Sequence, residues 1–181
     1  MLFTAKQHTK KQGVHGDYNK KLLDMFLEKF VDAMGKGKDG EVFWSVVGCT
    51  DNDARERYAL DRQMEGLYLL LCLFHIWQAW RTSLNSSLQS IPKGNSRKEV
   101  WSRLAQVVLN LLCNVGEYKE VVKLYNAEVR HWKAKGTKKA TAMEKKQSTA
   151  ALKFLTYFQS YVSSKDVWVA WSPAGAAEAA C

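Results

Sequence analysis

Long apolar runs are absent from this sequence, and that absence bounds where the protein can reside. No stretch approaches the roughly 20 apolar residues that a membrane-spanning helix requires, so no membrane contact is expected. The first residues, Met1 to His8, lack the cationic-then-apolar order of a secretory signal. The four cysteines are widely spread, without the spacing of a disulfide framework, which favours a reducing intracellular compartment.

An internal repeat and a long low-complexity tract are also lacking, and the composition is that of a folded chain. Of the 181 residues, 46% are hydrophobic and 12% aromatic, which excludes wholesale disorder. This length suffices for one domain with a real core. Most tryptophans fall at amphipathic positions, which predicts core packing, with base stacking as the alternative. They are Trp77, Trp80, Trp101, Trp132, Trp168 and Trp171.

Positive charge is present but unevenly distributed. The segment from Lys93 to Lys153 accounts for the whole net charge of +9, because it contains 14 Lys and Arg residues and 5 Asp and Glu residues. The remainder of the chain is balanced. A localised basic surface suits contact with phosphates through counterion release, although a lysine-rich helical surface can also be simply solvated.

Helices and strands alternate in the first part of the chain. Leu2 to Ala5 reads as the end of a strand, and helical apolar spacing follows from Tyr18 to Met34. We further predict strands at Val42–Cys49 and Leu67–Leu71 and helices at Ala54–Met64 and from Cys72 through Arg81. Strand-helix alternation indicates an α/β sheet with partly parallel pairing.

The second half is predicted to be helical. Amphipathic spacing indicates helices from Ser96 or Arg97 to Cys113, from Gly116 to Ala134 and from Met143 to Ser163. This half also carries the surplus of positive charge. Lys138, Lys139, Lys145 and Lys146 form its densest basic stretch and are candidates for phosphate contact, with solvation as the alternative.

Asp51 and Asp53 follow the predicted strand Val42–Cys49, where open α/β sheets place their ligands. Paired carboxylates there can hold Mg²⁺ or Mn²⁺, which prefer oxygen ligands. A helix N-terminus also favours aspartate as a cap. The two roles are compatible, with Asp53 as the cap and Asp51 as the metal ligand.

Cys72 and His75 have the Cys-x-x-His spacing of half a zinc site. A structural zinc needs four ligands, and no second half follows at a matching spacing. The alternative is a buried thiol beside a hydrogen-bonded histidine in the first turn of a helix.

Four segments together resemble Mutator-like (MULE) DNA transposases of the fungal type. They are Thr50–Leu60, Leu70–Arg81, Lys145–Ser148 and Trp171–Gly175. The resemblance implies a fragment of a ribonuclease-H-like α/β fold with a few-stranded mixed sheet, followed by a mostly helical insertion that contacts DNA ends. It divides the chain into a partial core (1–82), a basic insertion (83–165) and a tail returning towards the core (166–181).

In the DDE active site of that family, two aspartates and a glutamate bind divalent metals for DNA cleavage and joining. Asp51 matches the second acid, and Cys72 and His75 match the family's Cys-x-x-His pair. The resemblance places the first aspartate before Met1 and the glutamate after Cys181.

We therefore expect a transposase-derived nuclear protein that contacts DNA but does not cut or join it alone, since one acid cannot assemble two ions. The alternatives are a non-catalytic nucleic-acid-binding module and an unstable gene remnant.

Overall fold

The computed structural model describes residues 20–35, 40, 45–51, 53–172, 174–175 and 177. Two short strands and seven α-helices occur in this part of the chain, together with 3₁₀ turns at Leu88–Ser90 and Gln159–Tyr161. In chain order they are α1 (Lys20–Met34), β1 (Val47–Thr50), α2 (Ala54–Gln63), β2 (Tyr68–Leu71), α3 (Leu73–Ser87), α4 (Asn95–Cys113), α5 (Tyr118–Lys135), α6 (Ala142–Phe158) and α7 (Lys165–Val169).

The architecture is mixed α/β and mostly helical, as predicted at that level. Among the described residues the sheet has two strands, β1 and β2, which run parallel, so the pairing includes no antiparallel strand there. The predicted strand at Val42–Cys49 overlaps β1 only at its end, because β1 begins at Val47, and residues 41–44 lie outside the described part. The predicted strand at Leu2–Ala5 also lies outside it.

The chain divides into two compact units, Met1–Leu69 and Leu70–Cys181. The predicted boundary after residue 82 falls inside α3, which runs unbroken from Leu73 to Ser87. In the first unit α1 packs against α2, and Arg62 of α2 donates to Asp24 of α1 at 3.2 Å. None of the described side chains of α1 is fully buried.

The second unit contains a large hydrophobic core, in which α6 packs against α3, α4 and α5. Trp80 lies at its centre, with edge-to-face contacts to Phe158, Tyr161 and Trp171 at centroid distances of 4.9–5.2 Å. Four tryptophans in this unit are almost completely buried, which confirms that they serve packing: Trp80, Trp132, Trp168 and Trp171. Trp77 and Trp101 pack against the same core from partly buried positions.

Local chemistry sets both ends of α6. Thr141 caps its N-terminus, and Glu144 bonds back to the Thr141 backbone N–H, which forms a capping box. The helix was predicted to reach Ser163 but gives way to a 3₁₀ turn after Phe158. There, the Ser160 hydroxyl donates to the Tyr157 carbonyl and the Ser163 hydroxyl to the Ser160 carbonyl. Such local side-chain bonds compete with helical hydrogen bonding.

Candidate functional site

Asp53 caps α2. This is the role that the helix-cap interpretation of the acidic doublet predicted. Its backbone is extended, and its carboxylate accepts from the Arg55 backbone N–H at 2.8 Å. The Arg55 guanidinium donates to both carboxylate oxygens, at 3.0 and 2.6 Å. The hydrogen bonds from the Arg55 side chain, followed by that from its backbone, lower the pKa of Asp53 to about 2. Asp53 is therefore committed to the helix end and to Arg55.

Asp51 occupies a different environment in the turn that joins β1 to α2. Its Oδ1 accepts from the Asp53 backbone N–H at 2.8 Å, and the side chain is half-buried. The other partner is Glu56, in the first turn of α2. Burial raises the pKa of Glu56, and the charge of Asp51 and a hydrogen bond with its carboxyl raise it further. The ionised form of Glu56 is therefore disfavoured by its position beside Asp51.

Glu56 was not among the residues singled out from the sequence. It stands at the third helical position after the cap Asp53, where a Glu normally bonds back to the backbone N–H of the cap. Here Asp51 already accepts from that N–H, so Glu56 lies beside Asp51 instead. The spacing Asp51, Asp53, Glu56 was the signal in the sequence that could have identified the pair.

The carboxylates do not complete a metal-ligand set within the part of the chain that is described. There, no three or more His, Cys, Asp and Glu side chains are grouped so as to hold a metal ion. Oxygen ligands of this type suit Mg²⁺ or Mn²⁺, and Asp51 with Glu56 would supply two of them. Asp53 is occupied by Arg55, which argues against its role as a metal ligand.

Cys72 and His75 lie at the start of α3, on the helix predicted for them. Cys72 is the N-cap residue, is half-buried and makes no side-chain capping bond. His75 is exposed and contacts the ring of Phe74 edge-to-face at 5.4 Å. The alternative of a buried thiol beside a histidine is therefore wrong about burial. As possible zinc ligands the two residues remain a pair, since the described chain adds no third ligand.

The four lysines singled out as a basic stretch are all exposed. Lys138 and Lys139 lie in the turn between α5 and α6, where the Ala140 N–H donates to the Thr137 carbonyl at 3.0 Å. Lys145 and Lys146 lie in the first two turns of α6. Their ammonium groups are accessible to a phosphate-bearing partner.

A salt bridge with a buried acid connects α4 with α5 and was not predicted. The Glu128 side chain is only 6% exposed, and its carboxylate accepts from the Arg103 guanidinium at 2.7 and 2.8 Å. It also accepts from the indole N–H of Trp132 at 2.7 Å. This bidentate pairing raises the pKa of Arg103. All three groups are held by one another, so we assign them to stability rather than to a ligand site.

A shallow depression of about 790 Å³ lies along α4, between Trp101 and Asn114. Every residue that lines it belongs to α4 or its C-cap, so it is a helix face rather than an enclosed pocket. The depression does not bring acids, histidines or nucleophiles from different elements together. It therefore does not resemble an active-site cleft.

Comparisons with known proteins do not identify the chain. No family model matches it, and neither a curated protein nor a solved structure does so. Over the described residues, none of the helices combines the length and apolar content needed to cross a membrane. The geometry of the residues themselves therefore carries the functional argument.

Proposed function

We propose that this chain is derived from a Mutator-like DNA transposase and that it contacts DNA through its basic helical unit. The supporting observation is the exposure of Lys138, Lys139, Lys145 and Lys146 on and before α6. They belong to the segment that carries the entire charge surplus. Cationic side chains that are free to reach solvent release condensed counterions when they meet phosphates.

Within this proposal residues 1–82 correspond to the middle of a ribonuclease-H-like core. Two features support it: β1 and β2 are parallel strands joined through α2, and Asp51 follows β1 directly. A strand-helix-strand crossover places the residues after β1 at the carboxyl edge of the sheet, where α/β proteins bind ligands. Asp51 would be a metal ligand and Glu56 its neighbour.

We further propose that the 181-residue polypeptide does not cut DNA by itself. Two-metal phosphoryl chemistry needs carboxylates that clamp both ions, and the proposal supplies only Asp51 with Glu56. The test is incubation of supercoiled plasmid with the purified chain and Mg²⁺ or Mn²⁺. We expect no nicking above background. Robust nicking that Asp51→Ala abolishes would contradict this part of the proposal.

DNA contact is tested separately, by fluorescence anisotropy of a labelled duplex across a range of salt concentrations. We expect affinity to fall as salt rises, and the slope to decrease when Lys138, Lys139, Lys145 and Lys146 are changed to Glu. An affinity that does not change with salt concentration would contradict the proposed contact with nucleic acid.

A non-catalytic nucleic-acid-binding module unrelated to transposases is the second candidate. The same charge surplus favours it. It also predicts the same salt-dependent binding in the anisotropy experiment. The two candidates differ in the role of Asp51. Protection of the chain against thermal unfolding by Mn²⁺, lost in Asp51→Ala, would favour the transposase-derived core, since a ligand that binds only the folded state raises its stability.

The third possibility, an unstable gene remnant, is addressed by thermal melting followed by circular dichroism. The core of the second unit, which includes four buried tryptophans, favours a cooperative transition. A chain that gave no such transition would be a remnant without a stable fold.

A further inference from the structure

A row of cations lies along the solvent face of α5. Its members, Lys119, Lys123, Arg130 and Lys133, are all exposed. At 100° per residue they fall within an arc of about 80°, and at 1.5 Å per residue the row is about 21 Å long. We call these four residues the α5 cation row. The opposite side of α5 faces the core through Val121, Glu128 and Trp132.

Carboxylates are few beside the α5 cation row. Glu128 is buried against Arg103 on the far side of the helix, and the exposed Glu120 lies at the edge of the row, about 60° from Lys123 around the axis. Two other cations of α4 and α5 are engaged in ion pairs: Arg103 pairs with Glu128, and Lys135 pairs with Glu99 at 3.3 Å. In the described part of the chain, no ion pair involves a member of the row. Its charges are therefore directed at solvent.

The chemistry of the row favours nucleic-acid phosphates over an anionic membrane. Helices that bind membrane surfaces insert large apolar side chains beside their cations. The large apolar residues that are exposed in the described chain include none from α5. A length of about 21 Å spans about six phosphates of one strand, at 3.4 Å of axial rise per phosphate.

We infer that the α5 cation row binds the phosphate backbone of duplex DNA, with contacts to one strand along the helix axis. This inference rests on the proposed function, since both require the helical unit to meet DNA, but it adds a surface distinct from the four lysines near α6. Contacts to phosphates position a protein without reading sequence. The row therefore confers affinity that does not depend on base sequence.

The experiment measures the binding of the full chain to a fluorescein-labelled 20-base-pair duplex by anisotropy at several salt concentrations. The slope of log affinity against log salt changes by about 0.9 for each phosphate contact. Lys123→Glu with Arg130→Glu, in the middle of the row, should therefore reduce the slope by about two and weaken binding at low salt. The neutral pair Lys123→Gln with Arg130→Gln should reduce the slope by the same amount without introducing repulsion.

The matched control is Lys21→Glu with Lys29→Glu on α1, which changes the net charge equally at two other exposed lysines. This control should give the same slope as the unsubstituted chain, within experimental error. Circular dichroism of each variant establishes that the helices are intact. If a row variant loses its fold, the single substitutions Lys123→Gln and Arg130→Gln serve instead, each with an expected loss of about one in slope.

The outcomes separate the two proposals. A salt-dependent slope that is unchanged by the row variants but reduced by reversal of the four lysines near α6 overturns the α5 cation row and leaves the proposed function intact. An equal reduction of the slope in the row variants and in the α1 control also overturns the proposed role of the α5 cation row, because net charge alone would then set the affinity. The absence of salt-dependent binding to any duplex overturns the proposed function itself. Binding to phosphatidylserine vesicles but not to DNA overturns both.

Discussion

At the scale of single residues, the most consequential side chain of the helical unit is Glu128. An acid in the apolar stripe of a helix is costly unless its oxygens are satisfied, and here Arg103 and Trp132 satisfy them. The stripe itself was predictable from spacing. The burial of this acid was not, because its partner Arg103 lies 25 residues earlier in the chain. Only the packing of both α4 and α5 against α6 brings them together.

We predict that Glu128→Gln destabilises the protein by about 1–3 kcal/mol. The amide directs a donor at Arg103 or at the buried Trp132 N–H and leaves one of them unsatisfied. Urea denaturation followed by circular dichroism measures the loss. The matched control is Glu99→Gln, because Glu99 is 66% exposed in its pair with Lys135. That change should cost less than about 0.5 kcal/mol, and equal losses at both positions would contradict the role of burial.

The second prediction at this scale concerns the pH dependence of Glu56. Burial and the neighbouring Asp51 raise the pKa of its carboxyl above the ordinary value of 4.5. Ionised Glu56 therefore opposes folding at neutral pH. This penalty is absent below the unfolded-state pKa, grows as pH rises above it, and is complete once pH exceeds the raised folded-state pKa.

Glu56→Gln should accordingly raise Tm at pH 7 and leave it nearly unchanged at about pH 4, as measured by thermal melts across that range. The control is Glu65→Gln, since Glu65 is exposed, and it should show no pH-dependent gain. A Glu56→Gln variant that is less stable than the parent at pH 7 would show that the carboxylate stabilises the end of α2 instead.

At the scale of elements, apolar spacing predicted the helices well because each buries one continuous face. The predictions for α2, α4 and α5 agree with the structure to within a few residues. The strands were harder to place: β1 begins at Val47, whereas a run of β-branched and aromatic residues indicated a start at Val42. Strand ends depend on pairing with β2, where the Tyr68 N–H donates to the Val46 carbonyl. Such pairing cannot be read from one strand alone.

The packing of α5 on α6 depends on a close approach at Gly136, the C-cap of α5. A Cβ built there would lie 2.8 Å from the Cβ of Ser148, whose hydroxyl is buried and donates to the Trp132 carbonyl at 2.7 Å. The backbone at Gly136 has ordinary dihedral angles, φ −88° and ψ 18°. A larger residue is therefore opposed by space rather than by backbone strain.

We predict that Gly136→Ala destabilises the protein by about 1–3 kcal/mol, because Ser148 must move and α6 must shift away from α5. The matched control is Gly116→Ala, where nothing lies within 4 Å of the added methyl group. Chemical denaturation of both variants gives the comparison. A cost at Gly116 as large as that at Gly136 would show that the loss of glycine, and not the contact, is responsible.

At the scale of the whole molecule, the sequence predicted a mixed α/β, mostly helical fold and the position of the acidic doublet after a strand. The division of the chain between Leu69 and Leu70 lies within the apolar run that ends in β2, where spacing alone gives no sign of a boundary. The Asp51 and Glu56 pair was also missed. Its formation depends on which backbone N–H the Asp51 carboxylate bonds, a choice that composition and spacing leave open.

The two units should differ in local stability, because burial is concentrated in the second. The buried apolar side chains of the core cluster all lie between Leu71 and Trp171, and α6 alone contributes five of them. In α1, by contrast, none of the described side chains is buried. Opening free energies follow the apolar contacts that each segment must break.

Hydrogen-exchange mass spectrometry of the full chain should therefore show α4 and α6 exchanging more slowly than α1, by about tenfold or more. A gap of about 1.4 kcal/mol in opening free energy suffices for that factor. Peptides from α3 provide an internal reference, since Ile76, Trp80 and Leu84 belong to the same core. Protection of α1 equal to that of α6 would mean that the two units open together, as one cooperative structure rather than as two.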